Sequence, residues 1–187
     1  MKTSFKPGNM IYPLPAVMVS CGDTYETYNI ITIAWTGTIC SDPPMCYISV
    51  RPERYSHDII MRTGEFVINI ATAELARQTD WCGVRSGRDH NKFAEMGLHV
   101  EQAQMVKAPL IAESPLNIEC HVVEVKPMGS HDMFIANVVA VDAEETLIDK
   151  STGQFQLNHA GPLAYSHGKY YSLGEKIGGF GFSVKKR

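Results

Sequence analysis

Short apolar blocks and apolar–polar alternation dominate residues 15 to 70, the pattern of β-strands. Ala16 to Cys21 is an apolar run closed by the turn pair Gly22-Asp23, and Asn29 to Thr36 reads as a second strand. Asp42-Pro43-Pro44 breaks the chain before a third, Met45 to Val50, because proline has no N–H to give to a ladder. Ser56 to Gly64 predicts a short helix with Ser56 as N-cap and Gly64 at C′, after which Glu65 to Ile70 returns to strand. Residues 72 to 97 form the helical part: Thr72 caps a helix from Ala73 to about Cys82, and Asp89 to Met96 gives another, stopped by Gly97. Leu116 to Lys126 and Met133 to Asp142 are long strands joined by Pro127-Met128-Gly129-Ser130 in a hairpin. Pro162 to Ser166 and Lys169 to Leu173 form a last pair around His167-Gly168. The prediction is a mainly β, antiparallel barrel; a doubly wound sheet would need alternating helices.

The second strand is the most informative locally. With period 2, Ile31, Ile33 and Trp35 share a face that reads as packed core. Ile30, Thr32, Ala34 and Thr36 share the other, small and partly hydroxylated, which suits a planar ligand or a partner subunit. The same pattern also fits a solvent-facing side. The third strand divides likewise, Cys46, Ile48 and Val50 against Tyr47, Ser49 and Arg51. Arg51 and Arg54 precede a helix opened by Ser56, and helix N-termini favour anions through free N–H groups and the macrodipole. Ser86-Gly87-Arg88-Asp89, before a helix carrying Lys92, is a second candidate anion site, glycine letting the backbone approach the ligand. Taken alone, either segment reads first as ordinary capping and surface charge.

Composition narrows the classes. The chain has 187 residues, 44% hydrophobic and 20% charged, which speaks against disorder. No repeat or long linker divides it, so one domain over residues 1–187 is expected, with a core of about 10–175 and a tail of 176–187. A net charge of −3 leaves no surplus to neutralise a phosphate backbone, and Lys185-Lys186-Arg187 reads as a solvated tail, so nucleic acid is not the expected partner. Apolar stretches fall short of the ~20 residues of a membrane helix, and the first eight residues lack the apolar core of a signal peptide. Five cysteines without a C-x-x-C read as reduced thiols in a cytoplasmic protein.

Taken in order, Asn29 to Gly37, Ser41-Asp42-Pro43-Pro44, Ile48-Ser49-Val50-Arg51, Thr63 to Asn69, Ser86-Gly87, Lys92-Phe93 and Gly129-Ser130-His131 resemble the flavin reductase-like family. The C-terminal Gly161 to Tyr165 and Tyr170 to Gly174 look most like flavoredoxins within it. The resemblance implies an antiparallel Greek-key split β-barrel, working as a homodimer, with non-covalent FMN near the subunit boundary. It implies that Asn29, Thr32, Ala34, Trp35 and Thr36 line the flavin, while Ser49, Val50 and Arg51 pass the ribityl chain and ring edge. It further implies that Arg54, Ser56, Ser86, Gly87 and Lys92 hold the phosphate, that Tyr165 approaches the ring, and that His131 acts beside nicotinamide or flavin. The activity implied is electron transfer from NAD(P)H through FMN to free flavin, ferric iron or a redox protein.

Other readings stay open at this level: a non-enzymatic flavoredoxin-type carrier with tightly bound FMN, or a haem-binding or purely structural barrel. No G-x-G-x-x-G opens a helix, so NAD(P)H is expected to bind transiently and not on a Rossmann module. A zinc site is not expected, because Cys120 and His121 are adjacent on a strand and point to opposite faces.

Overall fold

The computed structural model describes residues 1–184. Lys185-Lys186-Arg187 lies outside the described residues. In chain order the elements are β1 (Leu14–Pro15), β2 (Val17–Cys21), β3 (Asn29–Ile33), β4 (Thr36–Ser41), β5 (Pro44–Val50), α1 (Tyr55–Thr63), β6 (Glu65–Ile70), α2 (Ala76–Val84) and α3 (Lys92–Met96). They continue with β7 (Val100–Glu101), β8 (Leu110–Ile111), β9 (Leu116–Pro127), β10 (Asp132–Ala143), β11 (Leu163–Ser166) and β12 (Lys169–Ser172). The main sheet has seven strands in the order β3-β2-β6-β9-β10-β5-β4, every pair antiparallel. A small sheet of β1, β11 and β12 carries the C-terminal hairpin.

Strand order and chain length together force closure. β3 and β4 are the two edges of the sheet, yet only Ala34 and Trp35 separate them. Ile33 and Thr36 are therefore at most roughly 11 Å apart, and a sheet whose edges lie that close must curl into a barrel. The barrel is split there, since β3 and β4 do not pair with each other. The mainly β, antiparallel architecture expected from the sequence is the one the chain adopts.

The interior is filled from both sides of the split by Val19, Ile31, Ile33, Ile48, Val50, Phe66, Ile68 and Phe134. Outside, α2 and α3 cover β2 and β3 through Met18, Ile30, Leu75, Cys82, Phe93 and Ile111. Both faces of β3 are thus occupied, and the small-residue side is largely taken by helices. Thr32 Oγ1 donates to the Thr79 carbonyl on α2, and Ile30 is fully buried. Where sequence predicted one strand over residues 29 to 36, the ladder stops at Ile33 and restarts at Thr36 on the opposite edge. Trp35, expected in the core, is consequently half-buried at the split.

Helix boundaries differ for local reasons. Ser56 is not the N-cap: α1 begins at Tyr55 behind Arg54, and the buried Ser56 hydroxyl accepts from Asn29 Nδ2 at 2.8 Å. Thr72 does not cap α2, because it bridges to Pro162 and the helix starts at Ala76. Asn91 caps α3, accepting from the Ala94 N–H at 3.1 Å, so that helix is shorter than expected. Gly64 and Gly97 end α1 and α3 with φ of 69° and 63°, the left-handed turn that glycine adopts without strain.

Candidate functional site

The split opens a cleft of about 290 Å³. One wall is the end of β3 with Thr32, Ala34 and Trp35, and another is Ser49, Val50 and Arg51 from β5 and the residue after it. His131 reaches in from the turn before β10, its ring nearly parallel to Trp35 at 14°, centroids 6.4 Å apart. Tyr165 and Tyr170 close the far side. The Tyr170 hydroxyl donates to Asp80 on α2 at 3.2 Å, so the C-terminal hairpin is latched to the helix across the cleft rim. Burial first, then Asp80, pushes the Tyr170 phenol up to about 12. It stays protonated and donating.

A second chamber of about 190 Å³ adjoins the first, and Ile31, Arg54 and Gly83 line both. The two lie side by side along the split. The second chamber gathers Arg54, Arg85, Arg88 and Lys92 with a single carboxylate, Glu53. It also meets the start of α1, where the His57 N–H already donates to the Arg54 carbonyl at 2.9 Å, the Tyr55 and Ser56 N–H groups lie ahead of that bond, and Arg54 supplies no side-chain cap. Gly87 packs so closely on Asn29 that a Cβ there would overlap its amide. Glycine at 87 thus brings the Ser86–Arg88 loop down onto β3.

Lys92 decides the electrostatics of this chamber. The residue is 4% exposed, and its ammonium donates to the carbonyls of Ile30 and Cys82, each at 2.7 Å. Burial pushes its pKa down to about 8. A lysine has three donors, so two backbone carbonyls leave one for a ligand, and a buried cation without a carboxylate partner favours an incoming anion. Burial, followed by Arg51, likewise holds the His131 imidazole below its ordinary range, while Glu53 acts in the opposite sense.

Against expectation, the proposed site residues fall into three groups. Thr32, Ala34, Trp35, Ser49, Val50, Arg51, His131 and Tyr165 meet at the first chamber. Ser56, Ser86, Gly87 and Lys92 meet at the second, with Arg54 at both. Asn29, expected beside a ring, stands at the cationic end. Thr36 lines neither chamber: its hydroxyl donates to the Tyr47 carbonyl at 2.6 Å within the β4–β5 pair. Arg88, within the candidate anion segment Ser86-Gly87-Arg88-Asp89, does line the second chamber, whereas sequence reasoning overlooked Arg85, Gly83, Asp80 and Tyr170. The same run carried a signal for Arg85, which directly precedes it; nothing local marks Gly83, which fits because a Cβ would sit 3.0 Å from the Thr32 side chain.

Among the described residues no cluster of three or more His, Cys, Asp or Glu side chains is arranged to hold a metal, and no helix is long and apolar enough to cross a membrane. The five cysteines are unbridged.

With this geometry in place, comparison with known proteins is direct. Residues 9–174 match the family described as "Flavin reductase like domain", and the chain belongs to that family. Its structure is similar to that of the flavoredoxin of Desulfovibrio vulgaris (Miyazaki F), with a TM-score of 0.91 and 29% identity, covering 99% of this chain and 100% of that one. It is also similar to the flavoredoxin of Methanosarcina acetivorans, with a TM-score of 0.88 and 25% identity over the same shares of the chains. An uncharacterized protein of Pyrococcus abyssi is 28% identical over 168 residues, 90% of this chain and 95% of that protein.

Proposed function

We propose that the chain binds FMN non-covalently along this groove and moves electrons through it, from NAD(P)H to an acceptor such as free flavin, ferric iron or a redox protein. One observation carries the reading: an aromatic-walled cleft lies directly beside a cationic chamber, the two sharing Ile31, Arg54 and Gly83 as lining. A flat ring, a short chain and a terminal phosphate have the same layout.

The residues present fit the group. The third donor of Lys92, the free N–H groups at the start of α1, and Arg54, Arg85 and Arg88 would hold the phosphate. Ser49, Arg51 and the backbone beside Trp35 would hold the ribityl chain and ring edge, with Tyr165 near the ring. When bound, FMN supplies the redox chemistry, accepting a hydride and releasing electrons singly or in pairs. The chain's own part is orientation and shielding: Trp35 and the tyrosines exclude water, and His131, kept neutral by its surroundings, is placed to hydrogen-bond a nicotinamide amide. No side-chain nucleophile is needed.

A homodimer belongs to the same reading. Met10, Ile11, Ile177 and Phe180, from the two terminal segments, are exposed large apolar side chains, suited to a second copy. The unbridged cysteines support a cytoplasmic location.

A second reading has its own support: the likeness to two flavoredoxins runs over 99% of the chain. In that case the protein is a carrier with tightly bound FMN, reduced by a partner and not by free NAD(P)H. The absorption spectrum of purified protein, with release and identification of any chromophore, tests the shared claim. A colourless protein that takes up no added FMN would refute both. Steady-state NADH or NADPH oxidation then separates them, rapid turnover favouring the reductase and a reducible flavin with negligible turnover the carrier.

A further inference from the structure

A hydrogen bond outside both chambers links them. His57 Nε2 lies 2.8 Å from Asp132 Oδ2, and the two side chains are only 10% and 17% exposed. A carboxylate only accepts, so Nε2 carries the donated proton. The imidazole also stands edge-on to Phe134, centroids 5.3 Å apart at 75°, and its buried Nδ1 has no hydrogen-bond partner among the described residues, Asp58 Oδ1 being 3.6 Å away. The Asp132 bond orients the ring, and Phe134 packs beside it.

The places of these residues in the chain give the bond its consequence. His57 follows Ser56 in the first turn of α1, at the cationic chamber. Asp132 follows His131 and opens β10, opposite Val50 of β5. Asp132 and Phe134 share one face of β10, the face that enters the barrel, since Phe134 is fully buried. Asp132, held inward by His57, is the first strand residue after the turn that carries His131, and His131 stands over the cleft beside Trp35 and Arg51.

We infer that His57 and Asp132 form a positioning brace, which sets where His131 stands in the cleft and ties that wall to the helix start at the cationic chamber. The hairpin turn holds His131 locally, through the Met128 N–H to its carbonyl and Ser130 Oγ against its ring, each at 2.9 Å; the brace adds a bond between positions 75 residues apart, which sets the turn relative to α1. Its meaning for function rests on the FMN reading; its test does not.

The chain has two tryptophans, and Trp81→Phe leaves Trp35 as the sole emitter. In that background Asp132→Ala shifts Trp35 emission and moves the His131 imidazole resonances, while Asp132→Asn, whose amide oxygen still accepts, restores both. FMN dissociation rises about tenfold in the alanine variant and stays within about twofold in the asparagine one. Phe134→Leu loosens packing around His57 without touching the hydrogen bond, so it lowers Tm and leaves Trp35 emission in place. If Asp132→Ala does not fold, His57→Phe keeps the ring, removes the donor and gives the same shifts. A folded Asp132→Ala or His57→Phe protein with unchanged Trp35 emission and His131 resonances overturns the brace. So does a Phe134→Leu protein that shifts them equally, because the effect is then general loosening. Should the shifts appear as described while FMN fails to bind any variant or the parent, the FMN reading falls alone.

Discussion

Lys92 Nζ, at the start of α3, donates to the Ile30 carbonyl on β3 at 2.7 Å. The bond pins a cation to the floor of the groove and stitches helix to strand. Because a second bond goes to the Cys82 carbonyl at the same distance, removing the ammonium strands two buried acceptors as well as the ligand-facing charge.

Lys92→Met therefore weakens FMN retention roughly tenfold to a hundredfold, the scale of one charged hydrogen bond, and lowers Tm. Equilibrium dialysis with FMN checks the first and a thermal melt the second. An unchanged dissociation constant places the phosphate elsewhere.

The same lysine gives a pH dependence with a definite sign. Its folded-state value of about 8 lies below the ordinary 10.5. Between those values the unfolded chain binds more protons, so the Lys92 contribution to apo-protein stability rises with pH across that window. Anion retention runs the opposite way and falls as pH climbs above about 8, where the ammonium is lost. Parallel denaturant titrations and FMN dialysis from pH 7 to 10 should diverge; if they track each other, Lys92 is not the titrating group.

Gly87→Ala sets a Cβ against the Asn29 amide, so the loop carrying Ser86 and Arg88 must lift. The expected result is at least about tenfold weaker FMN binding with secondary structure by circular dichroism as in the parent. Ser56→Ala, which deprives Asn29 of its acceptor, should act in the same direction and more weakly.

His131→Gln keeps a hydrogen-bonding side chain in the cleft but removes the flat ring beside Trp35. NAD(P)H oxidation under single-turnover conditions slows more than FMN retention declines. Equal loss of both would make His131 a structural contact.

Glu119 is fully buried and accepts the N–H groups of Gln104, Met105 and Val106 at 2.8, 2.7 and 3.0 Å. Glu119→Ala leaves three donors unpaired and costs about 3 kcal/mol or more of stability, read by urea denaturation. FMN binding by the folded fraction is unaffected, since the site lies elsewhere.

Much of this was legible in the sequence because it depends on local patterns. Gly64 and Gly97 end their helices where expected, and the long hairpin of β9 and β10 sits on its predicted residues within one position at each end. What escaped depends on contacts between distant segments. Trp35 looked like core because period 2 continues through it, but pairing, not periodicity, ends β3, and the partner of the next strand is β5. Ser56 had the composition of a cap, yet Asn29, 27 residues away, claimed its hydroxyl. Gly83 and Asp80 joined the groove only because α2 lies across β3, a docking set by Thr32 and Cys82.

Gly83 lines both chambers, and a Cβ added to it would sit 3.0 Å from the Thr32 side chain. A larger residue would stand between them and leave two compartments, each able to hold a fragment. With no side chain there, a molecule whose two ends are covalently tethered gains the advantage of a chelate, because the second end binds from an effective concentration on the order of millimolar. On the proposed FMN reading, the missing side chain thus favours intact nucleotide over riboflavin or inorganic phosphate supplied separately.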